Sequence, residues 1–97
     1  MSDTQRVSTL LTRKLGQVAT KAQQSKAYRP VPRLLRQMRE EAGISQRELG
    51  VRLHRPQSWV YNCETANRRV DVAEFKAWAA ACEIAPEKAF ARFIAGG

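Results

Sequence analysis

The stretch Gly43-Ile-Ser-Gln-Arg-Glu-Leu-Gly-Val-Arg-Leu-His-Arg-Pro-Gln-Ser-Trp-Val-Tyr-Asn-Cys-Glu64 decides how this 97-residue chain folds. Ser45 precedes an apolar run and Glu48 follows it by three residues, the spacing of a capping box that satisfies two unpaired amides at a helix start. Leu49 and Leu53 then mark the buried face of a short helix. Pro56 breaks the chain after Leu53-His54-Arg55, and a second helix follows from about Gln57 to Glu64 with Val60 and Cys63 inward. Gly50 lies where the two helices cross, so a longer side chain would push them apart. With the buried contacts made by Leu49, Leu53, Val60 and Cys63, the opposite face of the second helix presents Gln57, Ser58, Tyr61 and Asn62. All four are polar and none is acidic.

The flanking sequence supplies partners for this pair. Upstream, Leu34, Leu35 and Met38 face inward and Arg33, Arg36 and Glu40 outward, which predicts a helix from Pro32 to Ala42 ended by Gly43. Downstream, Asp71 with Glu74 forms a second capping box. It opens a helix with Val72, Phe75, Trp78, Ala79 and Cys82 on its apolar side. A last helix begins at Pro86 and carries Ala89, Phe90, Phe93 and Ile94. At the N-terminus Val7, Leu10, Leu11, Leu15, Val18 and Ala22 recur at three- and four-residue intervals among Arg13, Lys14 and Lys21, the pattern of an amphipathic helix with a narrow apolar stripe. Tyr28-Arg29-Pro30-Val31-Pro32 reads as an extended connection because its prolines remove backbone donors. The expected division is therefore a basic amphipathic helix and Pro-containing linker over 1–31 and an all-α domain over 32–97.

Charge narrows the partner. Seventeen Lys and Arg against nine Asp and Glu give +8 and a pI near 10.3, the electrostatic footprint of a protein that meets a polyanion. The excess is local: +5 over residues 1–32, +4 over 33–69 and −1 over 70–97. Nucleic acid is the leading candidate, double-stranded DNA where the two-helix motif is weighed with the charge, and an acidic membrane surface is the second. Met1 to Ala27 lacks the apolar run of a signal peptide or membrane span, so no membrane partner and a cytoplasmic location are expected. Cys63 and Cys82 have no CxxC or histidine partner at ligand spacing, and they read as small core residues rather than a disulfide, metal or redox site. His54, the only histidine, has no carboxylate or cysteine placed to orient it and reads as a turn residue. No nucleophile–base pair, metal cluster or phosphate-cradling glycine loop can be assembled, which points away from an enzyme and predicts no cofactor and no metal.

Gly43-Ile-Ser-Gln-Arg-Glu-Leu, Arg55-Pro-Gln-Ser-Trp-Val, Glu64 and Arg68-Arg-Val-Asp-Val-Ala-Glu-Phe together resemble the Xre-type, lambda repressor-like and Cro-like, helix-turn-helix family from about Arg33 to Ile94. The resemblance implies a compact five-helix DNA-binding domain, with the N-terminal amphipathic helix as an extension. The protein is then expected to be a transcription regulator, a repressor acting as a homodimer, whose third helix enters the major groove. It implies base reading by Gln57, Ser58, Asn62 and Tyr61, and phosphate contact by Gln46 at the start of the second helix. Amide side chains suit the reading role because they pair bidentately with the N6 and N7 edge of adenine. Arg55, Arg68 and Arg69 flank the reading helix and are expected to neutralise phosphates. Arg39 and Glu64 match positions that form a structural ion pair in relatives. Phe90, Phe93 and Ile94 are the expected dimer seam, because one short helix cannot bury all three against so small a core.

The chain departs from the family at three positions where glycine is usual: His54, Ala66 and Glu83. Histidine tolerates a left-handed backbone better than alanine does, so Asn67 is expected to take the positive φ after the third helix. Trp59 either stacks near the sugar–phosphate backbone or covers the core edge, with packing the favoured use of so large a ring. The N-terminal helix is a solvated tail, a DNA-tracking arm, or a surface that holds a protein partner through Val7, Leu11, Leu15 and Val18. The last option leads to an alternative reading, an antitoxin or other interaction module that autoregulates its operon.

Overall fold

A computed structural model describes residues 25–96. Within them the chain forms five helices: α1 (Pro30–Glu41), α2 (Gln46–Leu53), α3 (Gln57–Glu64), α4 (Val72–Ala81) and α5 (Pro86–Ile94). The N-terminal stripe through Val7, Leu11, Leu15 and Val18 lies outside the described residues.

Leu34, Leu35 and Met38 of α1, Leu49 of α2, Val60 and Cys63 of α3, and Trp78 of α4 are fully buried and make the centre of one core. α2 packs chiefly on α3, α1 runs beneath α3, and α4 joins α2 to α5. Trp78 is tolerated at the centre because its indole N–H donates to the Leu35 carbonyl at 3.0 Å, so the ring brings apolar area inside without an unpaired donor.

The proline-rich segment departs from its expected extended form. α1 starts at Pro30, two residues early, and Tyr28 and Val31 belong to the core. The first amides of a helix have no intrahelical acceptor, so Pro30 and Pro32, at the first and third positions, sacrifice nothing there. The Tyr28 hydroxyl accepts from the Val70 amide at 2.9 Å, tying the segment before α1 to the loop before α4.

The caps are resolved individually. Asp71 and Glu74 form the full reciprocal box. At α2 only half the expected box exists: Ser45 Oγ accepts from the Glu48 amide at 3.0 Å, while the Glu48 carboxylate turns along the helix to Arg52 at 3.3 Å. Val72, expected on the buried side of α4, is 85% exposed, because it borders an open hollow beside Val31 and Phe90 instead of packing closely against them. After α3 the positive φ falls on Ala66 (φ 65°), not on Asn67; His54 (57°) and Glu83 (61°) complete the set. All three thus hold the left-handed conformation without being glycine. Ala66 is fixed by geometry on either side: Thr65 N–H bonds back to Tyr61 O, and the amides of Asn67 and Arg68 both reach Asn62 O at 2.9 and 3.1 Å.

Among the described residues no helix is long and apolar enough to cross a membrane, and no group of three His, Cys, Asp or Glu gathers where it could hold a metal ion.

Candidate nucleic-acid interface

The α2–α3 corner is built around Gly50. A Cβ placed there would stand 2.6 Å from the Arg55 carbonyl oxygen and 3.4 Å from Pro56 C. The close approach is therefore to the turn entering α3, more than to the flank of α3 itself. The Arg55 amide donates to Gly50 O at 2.8 Å, the left-handed His54 reverses the chain, and extended Pro56 (ψ 157°) launches α3. This sequence of conformations leaves α3 seated on α2 by Val60 and Cys63, with Gln57, Ser58 and Tyr61 exposed and Asn62 half-buried. Asn62 contributes its carbonyl to the loop after α3, and its side chain is the least accessible of the four.

A buried ion pair holds the corner to α1. Arg39 Nε donates to Glu64 Oε2 at 2.6 Å and Arg39 Nη2 to Oε1 at 3.1 Å, with Nη1 on the Ile44 carbonyl at 2.9 Å. Gln46 Nε2 adds a third donor to Glu64 Oε1 at 3.0 Å. One carboxylate, its side chain 2% exposed, thereby joins α1, the start of α2 and the end of α3. The hydrogen bond to Glu64 raises the Arg39 pKa above its usual value. Gln46, expected at a phosphate, is anchored from behind by this carboxylate, with the open amides of the α2 N-terminus beside it.

Three arginines expected at phosphates differ in how free they are. Arg69 is exposed, its guanidinium 4.5 Å from the centre of the Tyr28 ring. Arg55 is about half exposed and 3.7 Å from Glu74. Arg68 is engaged: Nη1 and Nη2 each meet a Glu74 oxygen at 3.1 Å, and Nη1 also donates to the Arg69 carbonyl at 2.6 Å. The Arg68 hydrogen bonds hold the Glu74 pKa below the ordinary glutamate value, and the same contact raises that of Arg68. The guanidinium carbons of Arg55 and Arg68 lie 4.8 and 5.2 Å from the Trp59 ring centre. Trp59 itself is half-buried, 6.0 Å from Trp78. Of its two open roles the structure supports packing at the core edge.

Arg47 was missed. It is exposed at the start of α2, beside Gln46, and makes no ion pair among the described residues. The sequence held the signal. Arg36 and Arg52 each have an acid four residues away, Glu40 and Glu48, whereas Arg47 has none. A cation at a helix N-terminus also opposes the macrodipole, so the helix itself gives Arg47 no reason to stand there.

Phe90, Phe93 and Ile94 lie away from this corner. Phe90 and Ile94 are 50% and 69% exposed, and Phe90 and Phe93 border an apolar hollow of about 160 Å³ with Tyr28, Val31, Val70, Val72 and Phe75. Cys63 and Cys82 are buried free thiols whose pKa values burial pushes up to about 11.

The helix-turn-helix domain family matches residues 33–91. The chain belongs to the helix-turn-helix family of the XRE type. A solved XRE-family like protein from Pseudomonas syringae pv. tomato str. DC3000 is 38% identical, covers 80% of this chain and 95% of its own, and superposes with a TM-score of 0.69. No curated protein sequence matches. As an XRE-type domain the protein is a DNA-binding transcription regulator, and the α2–α3 corner is the helix-turn-helix itself.

Proposed function

We propose that the protein is a sequence-specific repressor that binds double-stranded DNA in the cytoplasm as a homodimer, with α3 in the major groove. The observation that carries this reading is the outer face of α3, where Gln57, Ser58 and Tyr61 stand exposed without an acidic neighbour on that face, flanked by the accessible cations Arg47, Arg55 and Arg69. Gln57 and Asn62 supply amides for adenine edges, Ser58 and Tyr61 supply hydroxyls, and Gln46, Arg47, Arg55 and Arg69 hold phosphates. Arg68 supports them through its bonds to Glu74 and the Arg69 carbonyl. The exposed apolar ridge of Phe90 and Ile94, with Phe93 beside it, is the seam between two copies. Repression in this reading is by occupancy, the bound domain excluding polymerase from the same stretch of DNA. The alternative antitoxin reading depends on the stripe outside the described residues, and no described residue favours it.

Selection from a random duplex library at about 150 mM salt, where non-specific phosphate attraction is weakened, tests the reading. The expected product is a pair of inverted half-sites whose centres lie about 34 Å apart, one turn of DNA. Recovery of no motif would overturn base reading, and recovery of a single half-site would overturn the dimer.

A further inference from the structure

Glu74 is the meeting point of three groups from three parts of the chain. Its carboxylate receives both terminal nitrogens of Arg68 at 3.1 Å, receives the Asp71 amide at 2.9 Å, and lies 3.7 Å from Arg55. Arg55 belongs to the turn before α3, Arg68 to the loop after it, and Glu74 to the first turn of α4. Both guanidiniums also lie over Trp59, which is part of α3. One side chain on α4 is therefore hydrogen-bonded to the exit of the reading helix, faces the cation at its entry across 3.7 Å and, through the two guanidiniums, borders the ring between.

We infer that Glu74 is a positioning residue for sequence-specific DNA docking, bracing the two ends of α3 against α4 through Arg55 and Arg68. The inference rests on the proposal that α3 reads bases, and it assigns a role to a residue that touches no DNA. Arg68 has both terminal nitrogens engaged by Glu74 and one of them also by the Arg69 carbonyl, so three of its five N–H donors hold the guanidinium to the protein. Its contribution is to fix the backbone from which Arg69 extends. A preset arrangement reduces the ordering that binding must otherwise impose on loops and long side chains.

The competing role has the opposite signature. If Glu74 were only an acid close to a polyanion, its neutralisation would strengthen binding to every duplex alike. If it braces α3, neutralisation loosens the reading helix and frees two cations to seek any phosphate, so preference for the correct sequence falls while attraction to random DNA does not.

Glu74→Gln separates the two, since glutamine keeps the reciprocal cap that opens α4 but cannot offer Arg68 two anionic oxygens. The full-length variant and wild type are titrated, at about 150 mM salt, against the duplex selected by wild type and a scrambled duplex of equal composition. The expected result is a fall of about tenfold in the selected-to-scrambled affinity ratio, the scale of one charge-assisted hydrogen bond, with scrambled binding equal or stronger. An unchanged ratio would overturn the inference. Arg68→Gln is run beside it as a second, independently folded probe. The same loss of ratio is expected there with the salt slope intact, and a slope reduced by about one with the ratio preserved would make Arg68 a phosphate contact and overturn the brace. Wild type that cannot tell the two duplexes apart would refute base reading itself, and the inference with it, whereas discrimination by wild type that survives both substitutions refutes the brace alone.

Discussion

At the scale of single residues, two kinds of side chain separate cleanly: those whose geometry serves the fold and those with no internal partner. Gln57 is exposed in the first turn of α3 and is the leading base reader of the proposed complex. Gln57→Ala is expected to lose about 1–3 kcal/mol on the selected site and relax preference at one base pair. Competition among duplexes varied one position at a time measures this, and an unaltered preference profile would remove Gln57 from the reading set. Ala66 belongs to the other kind. At φ 65° it holds a conformation that costs an L-residue roughly 1–2 kcal/mol, which outweighs the roughly 0.4–1 kcal/mol of extra unfolded-state freedom that glycine brings. Ala66→Gly is expected to raise the melting temperature by a few degrees in calorimetry, and a lower value would show that the loop after α3 stores no strain. This is also where sequence reasoning stopped short. Ala against Asn at a left-handed position is a contest between intrinsic preference, which favours Asn67, and the two amides converging on Asn62 O, which set the reversal one residue earlier.

At the scale of elements, Gly50 shows how magnitudes choose a sign. Glycine inside a helix is normally worse than alanine by about 0.8–1 kcal/mol, so Gly50→Ala would stabilise an isolated α2. Here the added Cβ meets a backbone carbonyl at 2.6 Å, and strain of about 1–3 kcal/mol is expected to win. Chemical denaturation of the variant should show net destabilisation; a gain in stability would mean that the turn shifts freely. The α4 start carries a pH prediction. Because the folded state holds the Glu74 pKa below its ordinary value, the Arg68 contact contributes stability that is fully present above the unfolded glutamate pKa and fades as pH falls through the lower folded one. Glu74→Gln should therefore lose less stability than wild type on acidification through that window, and parallel pH–stability curves would contradict the assignment. The five helices and their main core positions were legible because apolar spacing, Ser45, Asp71, Gly43 and Pro86 all report local rules. What could not be read was whatever depends on a distant neighbour: that Tyr28 reaches the Val70 amide across the fold, that Val72 borders an open hollow instead of a packed neighbour, and that Arg68 finds Glu74 instead of solvent.

At the scale of the whole molecule, the question is what becomes of apolar surface that the five described helices leave open. Phe90 and Ile94, one turn apart on α5, remain 50% and 69% exposed beside a hollow that is itself lined by apolar side chains. Burial is worth roughly 25 cal/mol per Å², so a ridge repeated on two copies gains twice from one contact, and a two-fold arrangement presents two copies of α3 to DNA. The charge distribution agrees, since residues 70–97, which include α5, carry −1 while residues 33–69, which include the α2–α3 corner, carry +4. Like-charge repulsion is least where the copies would meet and phosphate attraction greatest where DNA would lie. Ile94→Asp places two carboxylates against each other across such a seam, at a position too exposed to matter to the monomer's core. The expected outcome is a monomer by sedimentation equilibrium with a near-native melting profile. Its affinity for a two-half-site duplex should then fall to that for a single half-site, because the second α3 is no longer delivered by the first. A variant that remains dimeric would move the seam elsewhere, and a wild-type chain that is monomeric on DNA as well as in solution would reduce the operator to one half-site.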